Sequence, residues 1–187
     1  LDAVALLTKD IARGQILEIS GDLWSVTPQQ WEPMIRQKRA GLFATGAKCG
    51  AIWAGADARQ QATLYDYGLN LGVAVQAGED CRNTSALETL CAALSEGRPL
   101  LPICLLLHEH GSPATREQWR SQLDSLSEAE KPIWLLERIS AEKMTERTEA
   151  WMQSRQDAAC AALDQIPGWS SETLRKFATL NPLKSST

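Results

Sequence analysis

The chain has 187 residues, which one core can serve, with 44% apolar and 22% charged residues, proportions that exclude a disordered or collagen-like chain. Nineteen Lys and Arg against 23 Asp and Glu leave a net charge of -4, without the basic surplus of a nucleic-acid binder. The longest apolar run, Ile103 to Leu107, is far too short to span a membrane. Five cysteines without a CxxC pair argue against a zinc site or a disulfide framework. They predict free, mostly buried thiols in a reducing cytoplasm. The seven Trp are scattered and read as core and interface filler.

In chain order, Leu1 to Ile19 carries apolar residues at helical spacing, and Ser20-Gly21-Asp22 stops it. Thr27-Pro28-Gln29-Gln30 is a helix start in which Thr27 caps and Gln30 completes a capping box. One helix is expected from there to about Gly55, roughly 40 Å long. Gly41, Gly46 and Gly50 inside it imply close approach of a neighbouring helix or a ligand. Asp57 caps the next helix, which runs to about Asp80 and is broken by Asn83-Thr84-Ser85. Further helices are expected at 86–95, 100–108, 114–126, 128–138, 140–164 and 171–180. No segment alternates with period two, so strand content should be near zero and residues 1–187 should form a single all-α domain.

Chemistry concentrates at the end of the Asp57 helix. Gln76, Glu79, Asp80 and Asn83 are spaced three, four and seven apart and share a face rich in oxygen, which suits a hard cation such as Mg²⁺. A solvated helix end with incidental acids is the plainer reading of that spacing alone. Gly68 and Gly72 share another face and permit tight helix packing. Cys104, His108 and His110 make a transition-metal site conceivable but lack a fourth ligand.

The segment Tyr67 to Asn83 resembles the second aspartate-rich region of the trans-polyprenyl diphosphate synthase family, YG…lG.aFQi.DD..D. Tyr67, Gly68, Gly72, Ala74, Gln76 and Asp80 match, Glu79 stands for the first Asp, and Asn83 replaces the last. Other landmarks follow the family's order. Asp10 to Glu18, with Gly14-Gln15, resembles the "GQ..D/E" helix, and Met34 to Phe43 resembles "mi..KTa.Lf", with Arg39 where Thr is usual. Gly50 to Ala56 resembles "Ga.laga", and Gly97 to Pro102 resembles "Gk.TlP", with Arg98 where Lys is usual. Ala158 to Leu180 resembles the closing helices.

The resemblance implies an isoprenoid synthase-type helical bundle. In that family, Mg²⁺ ions held by two aspartate-rich helices grip an allylic diphosphate, which isopentenyl diphosphate attacks after the carbon–oxygen bond breaks. It implies Lys38 and Gln76 as catalytic residues, Lys38 and Arg98 as clamps on the diphosphate, and Glu79, Asp80 and Asn83 as metal ligands. No DDxxD occurs in the chain, so Mg²⁺ binding should be weak or vestigial, and the chain alone should be inactive. The first aspartate motif lies upstream of the "GQ" helix in this family. The chain starts at Leu1 inside a helical pattern, so an N-terminal part carrying that motif is expected. The partners implied are an allylic diphosphate or other isoprenoid ligand, and a second copy or a partner subunit, in the cytoplasm. The alternatives are a non-catalytic family member serving as regulatory subunit or apolar-ligand binder and, further off, a peptide prenyltransferase.

Overall fold

A computed structural model describes residues 2–20, 23–166 and 171–180. Ten helices follow in order: α1 (Asp2–Ser20), α2 (Pro28–Ile35), α3 (Gly41–Trp53), α4 (Ala58–Asn83), α5 (Leu87–Ser95), α6 (Leu101–His108), α7 (Pro113–Ser125), α8 (Lys131–Ala141), α9 (Met144–Leu163) and α10 (Glu172–Thr179). A 3₁₀ turn at Leu23–Ser25 and a π turn at Arg36–Ala40 complete the list. No strand occurs among the described residues, and none of their helices is long and apolar enough to cross a membrane. The expected stop at Gly21-Asp22 lies outside the described residues, and so does the sequence Pro167-Gly168, where a break between the helices expected at 140–164 and 171–180 would fall.

The expected capping box forms at Thr27, and the expected cap at Asp57 is a second box. The Thr27 N–H donates to Gln30 Oε1 at 3.0 Å while the Gln30 N–H donates to Thr27 Oγ1 at 3.3 Å. The same reciprocal pair joins Asp57 and Gln60 at 2.9 and 2.8 Å. Each box satisfies N–H groups that a helix start would otherwise orphan.

The 26-residue α4 is the axis of the bundle, with α3 along one side and α9 along the other. It is buried nearly all round over Tyr67 to Cys81, the pattern of a central rather than a surface helix. Gly68 and Gly72 make the α3 contact possible. A Cβ on Gly68 would fall 2.5 Å from the Phe43 carbonyl oxygen, and one on Gly72 would fall 2.5 Å from Ala40 Cα. One apolar cluster fills the space around Trp31, Leu90, Leu106, Leu107, Leu135 and Met144. A second joins Leu64, Tyr67 and Leu71 of α4 to Ala159 and Leu163 of α9. The Tyr67 hydroxyl closes the second cluster by donating to the Leu174 carbonyl at 2.9 Å.

Several expectations change. The helix begun at Pro28 is not uniform, because the π turn divides α2 from α3. Gly41 approaches Leu7, but Gly46 and Gly50 face open space, so close helix approach does not explain them. α4 continues through Asn83 rather than ending near Asp80. The boundary between α8 and α9 falls at Glu142 and Lys143, where Lys143 takes a left-handed φ of 55°. Of the five free cysteines, Cys81 and Cys104 are buried, Cys160 is half-buried, and Cys49 and Cys91 are exposed. The tryptophans split likewise: Trp31 is fully buried, Trp53 is 95% exposed, and Trp169 lies outside the described residues.

Candidate functional site

The site begins with the π turn. A π turn admits one more residue than an α turn and re-aims the side chains it carries. Two glycines of the family pattern hold it in place. A Cβ on Gly14 of α1 would sit 2.7 Å from the Lys38 backbone nitrogen, and Gly72 of α4 abuts Ala40 at the other end of the turn. So clamped, the turn brings Lys38 and Arg39 to a small recess that they share with Gln76, Asp80 and Arg98. Pro99 and Leu100, just before α6, close it.

Asp80 forms the floor. It is 1% exposed. Its Oδ2 accepts from Trp31 Nε1 at 3.1 Å and from the Leu101 backbone N–H at 2.9 Å. Its Oδ1 accepts from Gln76 Nε2 at 2.6 Å. Burial pushes the Asp80 carboxyl up to about 7. The Leu101 N–H and the Gln76 amide pull it down, the neighbouring Glu79 charge raises it, and the Trp31 N–H lowers it. Gln76 Oε1 is left buried without a partner. Asp80 thus ties α4 to α2 and to the start of α6.

Glu79 turns the other way, and its carboxylate is ion-paired with the Arg39 guanidinium. Arg98 pairs with Glu96 at 2.9 Å. Asn83 does not line the recess, and its side-chain nitrogen is buried without a partner.

The structure therefore brings Lys38, Gln76, Asp80 and Arg98 together, but the oxygen-rich face expected of residues 76–83 splits in two. Asp80 and Gln76 point into the core, while Glu79 reaches out to Arg39. This donor set does not fit Mg²⁺. The ion takes near-octahedral oxygen ligands and leans on one or two carboxylates. Here one carboxylate is committed to three N–H donors, the other is neutralised, and the third position is an uncharged amide. No group of three His, Cys, Asp or Glu among the described residues could hold a metal ion.

The roles of Trp31 and Arg39 were not foreseen. Arg39 carried a signal, since it replaces a small polar residue beside Lys38. Trp31 carried none, because its partner lies 49 positions away. The conceivable site at Cys104 and His108 does not form. His108 bonds Trp24 O at 2.9 Å through Nε2 and Arg120 at 2.8 Å through Nδ1, and Cys104 is buried.

A larger cavity of about 530 Å³ lies at the other end of α4, lined by Ala47, Ala51, Leu64, Ile166 and Leu174. Leu64 and Asp80 are roughly 24 Å apart at 1.5 Å per residue. The cavity carries no charged side chain, so the chemistry belongs to the small recess.

Comparison with known proteins agrees on one relationship. The chain is 28% identical over 173 residues to octaprenyl diphosphate synthase of Escherichia coli, covering 89% of this chain and 53% of that protein. It is 31% identical over 139 residues to a short chain isoprenyl diphosphate synthase of Methanothermobacter thermautotrophicus, covering 70% of this chain and 42% of that one. The fold matches a polyprenyl synthase of Caulobacter crescentus, solved with calcium and isoprenyl diphosphate. The TM-score is 0.82 at 28% identity, over 98% of this chain and 58% of that structure. The chain spans about half the length of the curated relatives it matches. The polyprenyl synthetase pattern covers residues 1–135, and with the isoprenyl synthase bundle around it this places the chain in the polyprenyl synthetase family.

Proposed function

We propose that the recess at the π turn receives the diphosphate of an isoprenoid, held by Lys38 and Arg98. Completed by an upstream part, the fold would transfer a prenyl group from an allylic diphosphate to isopentenyl diphosphate. The observation that carries this reading is the convergence of Lys38, Arg39 and Arg98 on one small recess over Gln76 and Asp80. Departure of a diphosphate builds negative charge on the leaving oxygens, and fixed cations stabilise that charge as the bond breaks. In this reading Gln76 and Asp80 are positioning residues. They fix the wall on which the cations act. In this reading the end of α4 supplies no Mg²⁺ ligand. Among the described residues, Leu42, Phe43, Ile52 and Trp53 of α3 are exposed, and a surface of this kind suits a homodimer or a partner subunit. Free thiols throughout support a reducing cytoplasm as the working compartment.

Titration calorimetry with inorganic pyrophosphate tests the reading. The 187-residue chain should give a heat of binding that Lys38→Ala and Arg98→Ala remove and Lys48→Ala leaves in place. Labelled isopentenyl diphosphate should not be incorporated by this chain alone, and turnover by it would show that acids within the chain replace the upstream motif. A second reading, a non-catalytic subunit, draws support from the Arg39–Glu79 pair, which occupies the carboxylate that the family pattern offers to metal.

A further inference from the structure

Two departures from the family pattern, Arg39 for Thr and Glu79 for Asp, lie 40 positions apart in the chain and bond to each other. We propose that the Arg39 guanidinium stands in for a divalent cation at Glu79, a built-in counter-ion that bars metal from the end of α4. The longer Glu side chain reaches one methylene further than Asp, towards a guanidinium whose backbone is fixed by the clamped π turn. The contact is a charge-assisted hydrogen bond of the kind arginine makes to carboxylates. A metal ion approaching Glu79 must displace that cation, and Arg39 itself lines the recess together with Lys38 and Arg98. Asp80 is committed elsewhere, because its oxygens accept three N–H bonds inside the core. Asn83 adds no charge. The helix end that could have concentrated metal is in this chain electrostatically complete without it.

The inference stands independently of what the recess binds, and its test needs neither diphosphate nor turnover. The probe is Mn²⁺ alone, added to the isotopically labelled 187-residue chain, with selective broadening of backbone amide signals of residues 76–83 as the readout. The unsubstituted chain should show no selective broadening there. Arg39→Thr should broaden those signals at Mn²⁺ concentrations about tenfold lower than any that affect the unsubstituted chain, the order expected from removing one adjacent cation in a partly exposed site. Arg39→Gln should behave alike and serves if the Thr variant folds poorly. Adding Glu79→Gln should erase the gain. Equal broadening with and without Arg39 would overturn the proposal, and so would a gain that survives the loss of Glu79.

Discussion

Along α4, the middle turns and the last two turns meet different demands. From Leu64 to Gly72 the helix needs only to let neighbours close, and it does so with apolar side chains and two glycines set against the backbone of α3 and the π turn. From Gln76 to Asn83 it carries polar groups, of which Asp80 is tied to Trp31 and Leu101 and Glu79 to Arg39, while Gln76 Oε1 and the Asn83 side-chain nitrogen stay without a partner. In the middle turns the family pattern is intact, and each matching residue packs as a pattern residue should. In the last turns the pattern is broken at Glu79 and Asn83, and Glu79 meets a further break, Arg39 of the π turn. Change in this molecule has fallen where side chains act through charge, not where backbones touch.

The contrast is broken most severely in the middle turns. Gly72→Leu would drive a side chain into Ala40, 2.5 Å from where its Cβ must sit. Neither backbone can yield without moving the π turn, so the expected loss is about 3 kcal/mol or more in urea unfolding, the upper part of the range for overpacked cores. A wild-type midpoint for this variant would mean that α3 and α4 are not held together as described.

At the other end of α4, Asp80→Ala orphans the Trp31 N–H, the Leu101 N–H and the Gln76 amide in one step. Buried donors left without acceptors cost about 1–3 kcal/mol each, and partial relaxation should bring the total to about 3 kcal/mol. Asp80→Asn should be far milder. The Asn oxygen can keep Trp31 and Leu101, and a flipped Gln76 can accept from the new amide through the Oε1 that now lacks a partner. Equal losses for the two substitutions would show that these hydrogen bonds do not set the stability of the site.

A smaller effect is the pH dependence. Burial raises the Asp80 carboxyl from 3.8 to about 7 in the folded chain. Between these values the unfolded chain has released a proton that the folded chain still holds, so folding stability is fullest below pH 3.8 for this group and declines up to about pH 7. Asp80→Asn should remove that slope. Urea midpoints measured at several pH values in this window check it, and an unchanged slope in the variant would assign the dependence to another group.

Much of the fold is legible in the sequence because it rests on local signals. Thr27 with Gln30 and Asp57 with Gln60 mark helix starts within three residues, and Gly68 with Gly72 mark a packing face within one turn. The π turn at Arg36–Ala40 has no such signature, since it is fixed by Gly14 from α1 and Gly72 from α4, which are distant in the chain. The site is legible to the same degree. Spacing alone puts Gln76, Glu79, Asp80 and Asn83 on one face, but a helix face is broad, and only the neighbours decide which side chains turn inward. Trp31 and the first N–H of α6 draw Asp80 in, and Arg39 draws Glu79 out. Those partners lie 49, 21 and 40 positions away, beyond the reach of any periodicity.

The smallest expected effect bears most directly on why the Arg39–Glu79 pair exists. Arg39 is 42% and Glu79 27% exposed at the side chain, so water and salt screen their attraction. A double-mutant cycle with Arg39→Ala and Glu79→Gln should therefore return a coupling of about 0.5 kcal/mol, the ordinary yield of a pair at a protein surface, falling further in 1 M salt. That is too little for the pair to be read as a staple of the bundle, whereas Asp80, buried and bonded to three N–H donors from three elements, is one. A coupling of several kcal/mol would reverse the contrast between Glu79 and Asp80 and make the pair structural. A small coupling leaves charge as its content: a fixed positive group that lines the recess with Lys38 and Arg98 and balances the charge of Glu79, whatever ligand the recess takes.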